Sequence, residues 1–183
     1  MIDIHCHLLP SIDDGPATLD AALRLARHAV ASGIEKSVVT PHIMPGRYDN
    51  SLQQIREAVL RFGTALATHQ IALELGYAAE IRIGPEVMGL VQEDQLPALG
   101  SVDGYRIVLL EFPDSHILPG SDKLVGWLLD HKNTPTDCAS GAQQGCDARR
   151  RRDSAVRTGG MLAAGHRRLG GRCFWSALPV ALA

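Results

Sequence analysis

Two histidines one residue apart, His5 and His7, open the chain, and further groups of metal-ligating type follow in order: Asp13-Asp14, His42, Glu80 and Glu111. Mixed imidazole and carboxylate donors suit Mn, Zn or Fe better than Ca or Mg alone. Taken singly, each residue has a plain structural explanation. His-x-His is a polar pair in a turn, and Asp13-Asp14-Gly15-Pro16 is a turn or a helix-capping pair. His42 after Pro41 is a loop residue bonded to backbone, and the two glutamates are solvated strand-end charges. Taken together, they share one placement at or just beyond strand ends. Glutamates shared between ions suit a multinuclear hydrolytic centre, where bridged water ionises near neutral pH.

The elements that would position these groups alternate between strand and helix. Ile2 to His5 is a short apolar strand, and a two-residue side-chain period sends both imidazoles to one side. Thr18 caps a helix carrying Leu19, Ala22, Leu23, Ala26 and Val30, which stops at Gly33. Lys36 to Thr40 is a second strand. Asn50 or Ser51 caps a second helix with the stripe Leu52, Ile55, Val59, Phe62 and Leu66. A third strand lies within Ile71 to Ile81 and ends near Glu80. Pro85 to Gln92 is a short helix, Tyr105 to Phe112 a fourth strand ending at Glu111, and Asp122 begins a helix with Leu124, Trp127 and Leu128 on one face. Such alternation predicts an α/β fold with a parallel sheet or barrel, in which chemistry gathers at the C-terminal strand ends.

The strings Asp3-Ile4-His5-Cys6-His7-Leu8-Leu9-Pro10 and Ile12-Asp13-Asp14-Gly15-Pro16 resemble the opening of the PHP (polymerase and histidinol phosphatase) superfamily. Within it, the likeness is to bacterial manganese-dependent tyrosine-protein phosphatases of capsule and exopolysaccharide loci. Thr40-Pro41-His42, Ala79-Glu80-Ile81 and Leu110-Glu111-Phe112-Pro113 follow in the family's order, so the resemblance covers about residues 1–135. It implies a distorted β/α barrel that holds up to three Mn²⁺ ions, with Fe or Zn as alternatives. His5, His7 and Glu80 would hold the first ion, Glu80 and Glu111 the second, and Asp14 and His42 the third. Asp14 is preferred over Asp13 by family position alone. The implied reaction is hydrolysis of a phosphotyrosine monoester by a metal-bridged hydroxide. The implied partner is the C-terminal tail of a tyrosine autokinase that controls polysaccharide production. A small-molecule phosphatase of the same superfamily, and a non-catalytic kinase-binding fragment, are the alternatives. Arg47, in Gly46-Arg47-Tyr48, is either near substrate phosphate or a solvated loop residue.

The charge balance changes sign along the chain. Residues 1–135 hold 10 Lys+Arg against 17 Asp+Glu, a balance of −7, whereas residues 136–183 hold 8 Arg against 3 Asp, a balance of +5. The second stretch lacks Glu, Lys, Ile and Tyr but holds Cys138, Cys146 and Cys173. Cys146 and Arg152 match the Cys-x5-Arg spacing of thiol phosphatases, but no glycines intervene to cradle phosphate, so the match is chance. The family pattern after Thr134-Pro135 continues with His-Pro-Glu-Arg and later Asp-x-His, and neither occurs here. One choice of ordinary codons for Thr136 to Cys146, read one base later, is compatible with Pro-Thr-Ala-His-Pro-Glu-Arg. A single-base frameshift near residue 135 is therefore the expected origin of the tail, with a divergent but genuine basic, anion-binding arm as the alternative. The expectation is an N-terminal part of a phosphatase domain over 1–135, forming an incomplete barrel of about four strands, and a weakly structured, disordered basic tail over 136–183. A barrel of this type usually needs about 200–250 residues.

With 45% hydrophobic residues and a net charge of −2, the composition is that of a soluble globular domain, and no apolar run is long enough to span a membrane. The N-terminus lacks a secretory pattern, giving a cytoplasmic expectation. The acidic first part offers no nucleic-acid footprint.

Overall fold

The computed structural model of the chain describes residues 1–113 and 117–137, together with two short strands in the tail, 167–169 and 172–174. The first part is built on parallel strands with helices packed outside them, as the alternation predicts. A three-stranded parallel sheet has the order β1 (Ile2–Cys6), β2 (Lys36–Val39), β4 (Glu74–Tyr77). The second sheet contains β3 (His42–Ile43), β5 (Glu80–Arg82), β7 (Tyr105–Glu111) and β8 (Asn133–Asp137), all parallel. β6 (Gly100–Val102) pairs antiparallel with the start of β7. The two sheets form a curled half-barrel.

Two expectations about strand ends need correction. The region Ile71 to Ile81 contains two strands, β4 and β5, and Glu80 opens the second instead of closing the first. His42 likewise opens β3, after β2 has ended at Val39. The chain passes from one sheet to the other at both places. Pro41 has no N–H to donate, and the interruption is bridged by hydrogen bonds from Thr40 N to Cys6 O (2.9 Å), Ala78 N to Val39 O (2.9 Å) and Glu80 N to Pro41 O (3.1 Å). The count of about four strands was too low for this reason: two of them are kinked into pairs, and β6 and β8 are added.

The helices follow their sequence signals closely. α1 (Leu19–Ala31) is capped by Thr18, whose hydroxyl accepts from Ala21 N, and the chain turns away at Gly33 with φ +84°. α2 (Leu52–Thr68) starts in a capping box, with Ser51 and Gln54 bonding each other's backbone N–H groups. α3 (Glu86–Gln92) and α4 (Ser121–Asp130) cover the second sheet.

Alternation along the strands separates an outer face from an inner one. Val39, Leu75 and Tyr77 pack outward against α1 and α2, with Leu23, Ala26, Phe62 and Leu66. Ile43, Ile81, Val108 and Leu110 pack outward in a second cluster with Ile55, Val87 and Leu128. Ile12, Val59 and Tyr77 touch both clusters and join them. The residues between these outward positions (His5, His7, His42, Glu80, Arg82 and Glu111) therefore face the concave inner side.

In the tail, β9 (Arg167–Leu169) and β10 (Arg172–Phe174) form an antiparallel pair. The expected weak order of the tail, and the Cys146–Arg152 spacing, otherwise fall outside the described residues. Among the described residues no helix is long and apolar enough to cross a membrane.

Candidate metal centre

The inner face brings together all six residues expected to bind metal. Their donor atoms form three overlapping groups: His5, His7 and Glu80; His7, Asp14 and His42; and His42, Glu80 and Glu111. Within each group the donor atoms lie within 4.8 Å of one another. Glu80 is the hub. Its Oε2 lies 3.1 Å from His5 Nε2, 3.0 Å from His7 Nε2 and 3.7 Å from His42 Nδ1, and its side chain is only 4% exposed.

β1 carries His5, and His7 follows just beyond its end; the strand's register shifts between Asp3 and Cys6, and both imidazoles reach Glu80 Oε2. Asp3 accepts from His5 N at 3.2 Å, and burial, opposed by its contacts with His5, pushes its carboxyl pKa upward. β3 and β5 are paired in register, His42 against Glu80, which sets the imidazole beside the glutamate. β7 ends on Glu111. Arg82, opposite it across the ladder, donates from Nη1 to Glu111 Oε1 at 2.8 Å.

Among the described residues three buried side-chain atoms have no hydrogen-bond partner, Ser37 Oγ and, in this site, His42 Nδ1 and Glu111 Oε2, which lie 3.5 Å apart. Leaving such groups unpaired is costly, so a lone-pair nitrogen and a carboxylate oxygen aimed at one point suit a cation. Glu80, His42 and Glu111 thus offer a mixed donor set of the kind that transition metals prefer.

The aspartate pair divides. Asp14 is 52% exposed, with Oδ1 3.4 Å from His42 Nε2, and so belongs to the donor cluster. The Asp13 side chain is buried; its Oδ2 lies 2.7 Å from His7 Nδ1, and its carboxylate also accepts from Gly15 N at 2.9 Å and His42 N at 3.2 Å. Burial opposes charge on both members of this pair. The contact with His7 and the N–H donors nevertheless hold the Asp13 pKa below the usual carboxylate value. For His7, burial is outweighed by Asp13 and Glu80, and the pKa is pushed up to about 10.

Sequence reasoning missed three supporting residues. Arg82 was detectable, since it lies two positions after Glu80 on the same strand face. Asn50 was considered only as a helix cap. Its amide instead donates to Ile12 O (3.0 Å) and His42 O (2.8 Å), tying two site loops together, while Ser51 caps the helix. Tyr48 stacks on the His42 ring at 5.5 Å and 10°, and nothing in its spacing signals this. Arg47 is exposed, with its guanidinium 5.0 Å above the Tyr48 ring.

The decisive likeness extends along the chain that builds this site. Residues 1–121 match the family model described as capsular polysaccharide synthesis, CpsB/CapC. The chain belongs to the CpsB/CapC family. It is 38% identical over 117 residues to the tyrosine-protein phosphatase YwqE of Bacillus subtilis (strain 168), covering 64% of this chain and 45% of that protein. It is 27% identical over 112 residues to the tyrosine-protein phosphatase CpsB of Streptococcus pneumoniae, covering 61% of this chain and 45% of that one. A crystal structure from work on YwqE and CpsB, described as unique metal-dependent tyrosine phosphatases, superposes with a TM-score of 0.67 at 34% identity. That match covers 75% of this chain and 54% of the other. The chain therefore spans about half the length of the CpsB/CapC relatives it matches, and the half-barrel is the shared part of their fold.

Proposed function

We propose that this chain carries the N-terminal half of a metal-dependent tyrosine-protein phosphatase site, with His5, His7, Asp14, His42, Glu80 and Glu111 as ligands to Mn²⁺. The observation that carries the reading is the convergence on Glu80, a buried carboxylate within 3.1 Å of two imidazoles and shared by two of the three donor groups. Divalent ions bound there would supply Lewis acidity toward the phosphoryl oxygens and a water acidified toward neutral pH. The protein's own part is positional. His5, His7 and Glu80 hold one side of the cleft, while Arg82 fixes one oxygen of Glu111 and leaves the other turned toward His42. The substrate class is a phosphotyrosine protein, and the partner is the C-terminal tail of a bacterial tyrosine autokinase in capsule regulation. The cytoplasm is the compartment in which such a kinase tail is met.

Activity of this chain is impaired. Residues 136–183 contain neither His-Pro-Glu-Arg nor Asp-x-His, the strings from which the resemblance would draw the remaining ligands. β8 lends this support: it runs parallel to β7, and Asp137 pairs with Leu110, one residue before Glu111. In the alternative reading frame, the histidine of His-Pro-Glu-Arg falls two residues beyond Asp137, beside the Glu111 end of the site. A frameshift near codon 135 accounts for both the missing string and the composition break. Nucleotide sequencing that finds no His-Pro-Glu-Arg in another frame rejects the frameshift. A phosphotyrosine-peptide assay with added Mn²⁺ tests the function: the chain should turn over far more slowly than a frame-restored version. Equal turnover refutes the impairment. Histidinol phosphate as the preferred substrate of the restored version refutes the phosphotyrosine assignment. Binding of the kinase tail without turnover marks a non-catalytic binding fragment.

A further inference from the structure

We propose that Asp13 is the positioning residue of this centre: its buried carboxylate commits His7 to the His5–Glu80 side through Nε2 and withdraws it from the Asp14–His42 side. The inference rests on the metal-centre reading above and gives Asp13 no contact with metal or substrate.

His7 lies within reach of two donor groups, one with His5 and Glu80, the other with Asp14 and His42. An imidazole has only two nitrogens, so its orientation decides which group it serves. Nδ1 lies 2.7 Å from Asp13 Oδ2 but 3.7 Å from Asp14 Oδ1, while Nε2 lies 3.0 Å from Glu80 Oε2. A carboxylate only accepts, so without an ion both ring nitrogens face acceptors; an ion held at Glu80 would displace the proton on Nε2, while Asp13, set back from that side, would keep the one on Nδ1. A carboxylate behind a ligating imidazole fixes its tautomer and raises its basicity.

Asp13 is itself held by three donors from separate places in the sequence. Besides His7, it accepts from Gly15 N at 2.9 Å and from His42 N at 3.2 Å, and no part of its side chain is exposed. The turn that carries it closes tightly on β1. A Cβ at position 15 would lie 2.8 Å from His7 O and 2.9 Å from Asp13 Oδ1, so only glycine permits the approach. One carboxylate thereby sets the ring of His7 and the backbone entry of His42 together. A consequence follows for the Asp14–His42 side: with His7 committed elsewhere, only two ligands remain there among the described residues.

The test uses the full 183-residue chain, Zn²⁺ as a diamagnetic probe, and the variants Asp13→Asn and Asp13→Ala. Zn²⁺ affinity is measured by chelator competition, and histidine side-chain ¹⁵N shifts report protonated and metal-bound nitrogens. In the loaded wild type, His7 should show protonated Nδ1 and metal-bound Nε2. Asp13→Ala should lower Zn²⁺ affinity by about 10–100-fold and abolish the fixed His7 pattern. Asp13→Asn, which retains a neutral acceptor oxygen, should fall between the two. If Asp13→Ala does not fold, the wild-type pattern and Asp13→Asn decide. Metal on His7 Nδ1 in the wild type overturns the proposal. So does a loss of affinity with the His7 pattern unchanged, the result of a merely structural role. Wild-type protein that folds but takes up no Zn²⁺ refutes the metal-centre reading itself, whereas tight wild-type binding unaltered in Asp13→Ala refutes only the role of Asp13.

Discussion

Replacing Glu80 by Gln removes the one buried carboxylate that two of the three donor groups share, with almost no change in volume. Mn²⁺ at about a hundred times its Kd should stabilise the wild type by about 2.7 kcal/mol, since it binds the folded state alone. For a chain of this size about 2–4 °C accompanies each kcal/mol, giving a rise of about 5–11 °C in Tm. Loss of a supporting residue alone costs up to about 100-fold in metal affinity, and Glu80 lies against three imidazoles, within 3.7 Å of each. Its loss should cost at least that much. At the same Mn²⁺ concentration the metal would then sit near its Kd, and stabilisation falls to about 0.4 kcal/mol, or about 1–2 °C. Without metal, His7 keeps Asp13 as a partner, so the variant should still fold. Thermal melts of both proteins, with and without Mn²⁺, supply the comparison. A Glu80→Gln shift of more than half the wild-type shift would refute the reasoning, and so would a wild type that Mn²⁺ does not move.

Arg82→Met releases Glu111 Oε1 from its 2.8 Å partner. Mn²⁺ affinity should fall roughly tenfold by titration calorimetry. Because Glu111 is only 13% exposed and loses its hydrogen-bond donor, metal-free stability in urea should fall by about 1–3 kcal/mol. Phe62→Ala empties a side chain that is 1% exposed between α2 and the first sheet, and should cost about 3–5 kcal/mol in urea unfolding. A cost below about 1 kcal/mol would show that α2 does not pack there as described.

What the sequence determined by itself was local. Thr18, Ser51 and Gln54 announce their helices because a cap is a bond between residues three positions apart. The stripe Leu52, Ile55, Phe62 and Leu66 is buried as its period requires. The six candidate donors were singled out by side-chain type, by placement near strand ends and, for Asp14 over Asp13, by the family resemblance alone. Their division of labour was not legible. Asp13 and Asp14 are chemically identical neighbours, and only the fold of the loop over β1 buries one behind His7 and leaves the other beside His42. The same holds for Glu80 and His42. Each looks like a strand end, yet the chain changes sheets at Pro41 and Ala78, and both residues begin strands of the second sheet. Which nitrogen of His7 faces Glu80, and which oxygen of Glu111 is left free, depends on partners 6 and 29 residues away. Orientation within about an ångström is set by such long-range contacts, and no pattern along a single strand encodes them.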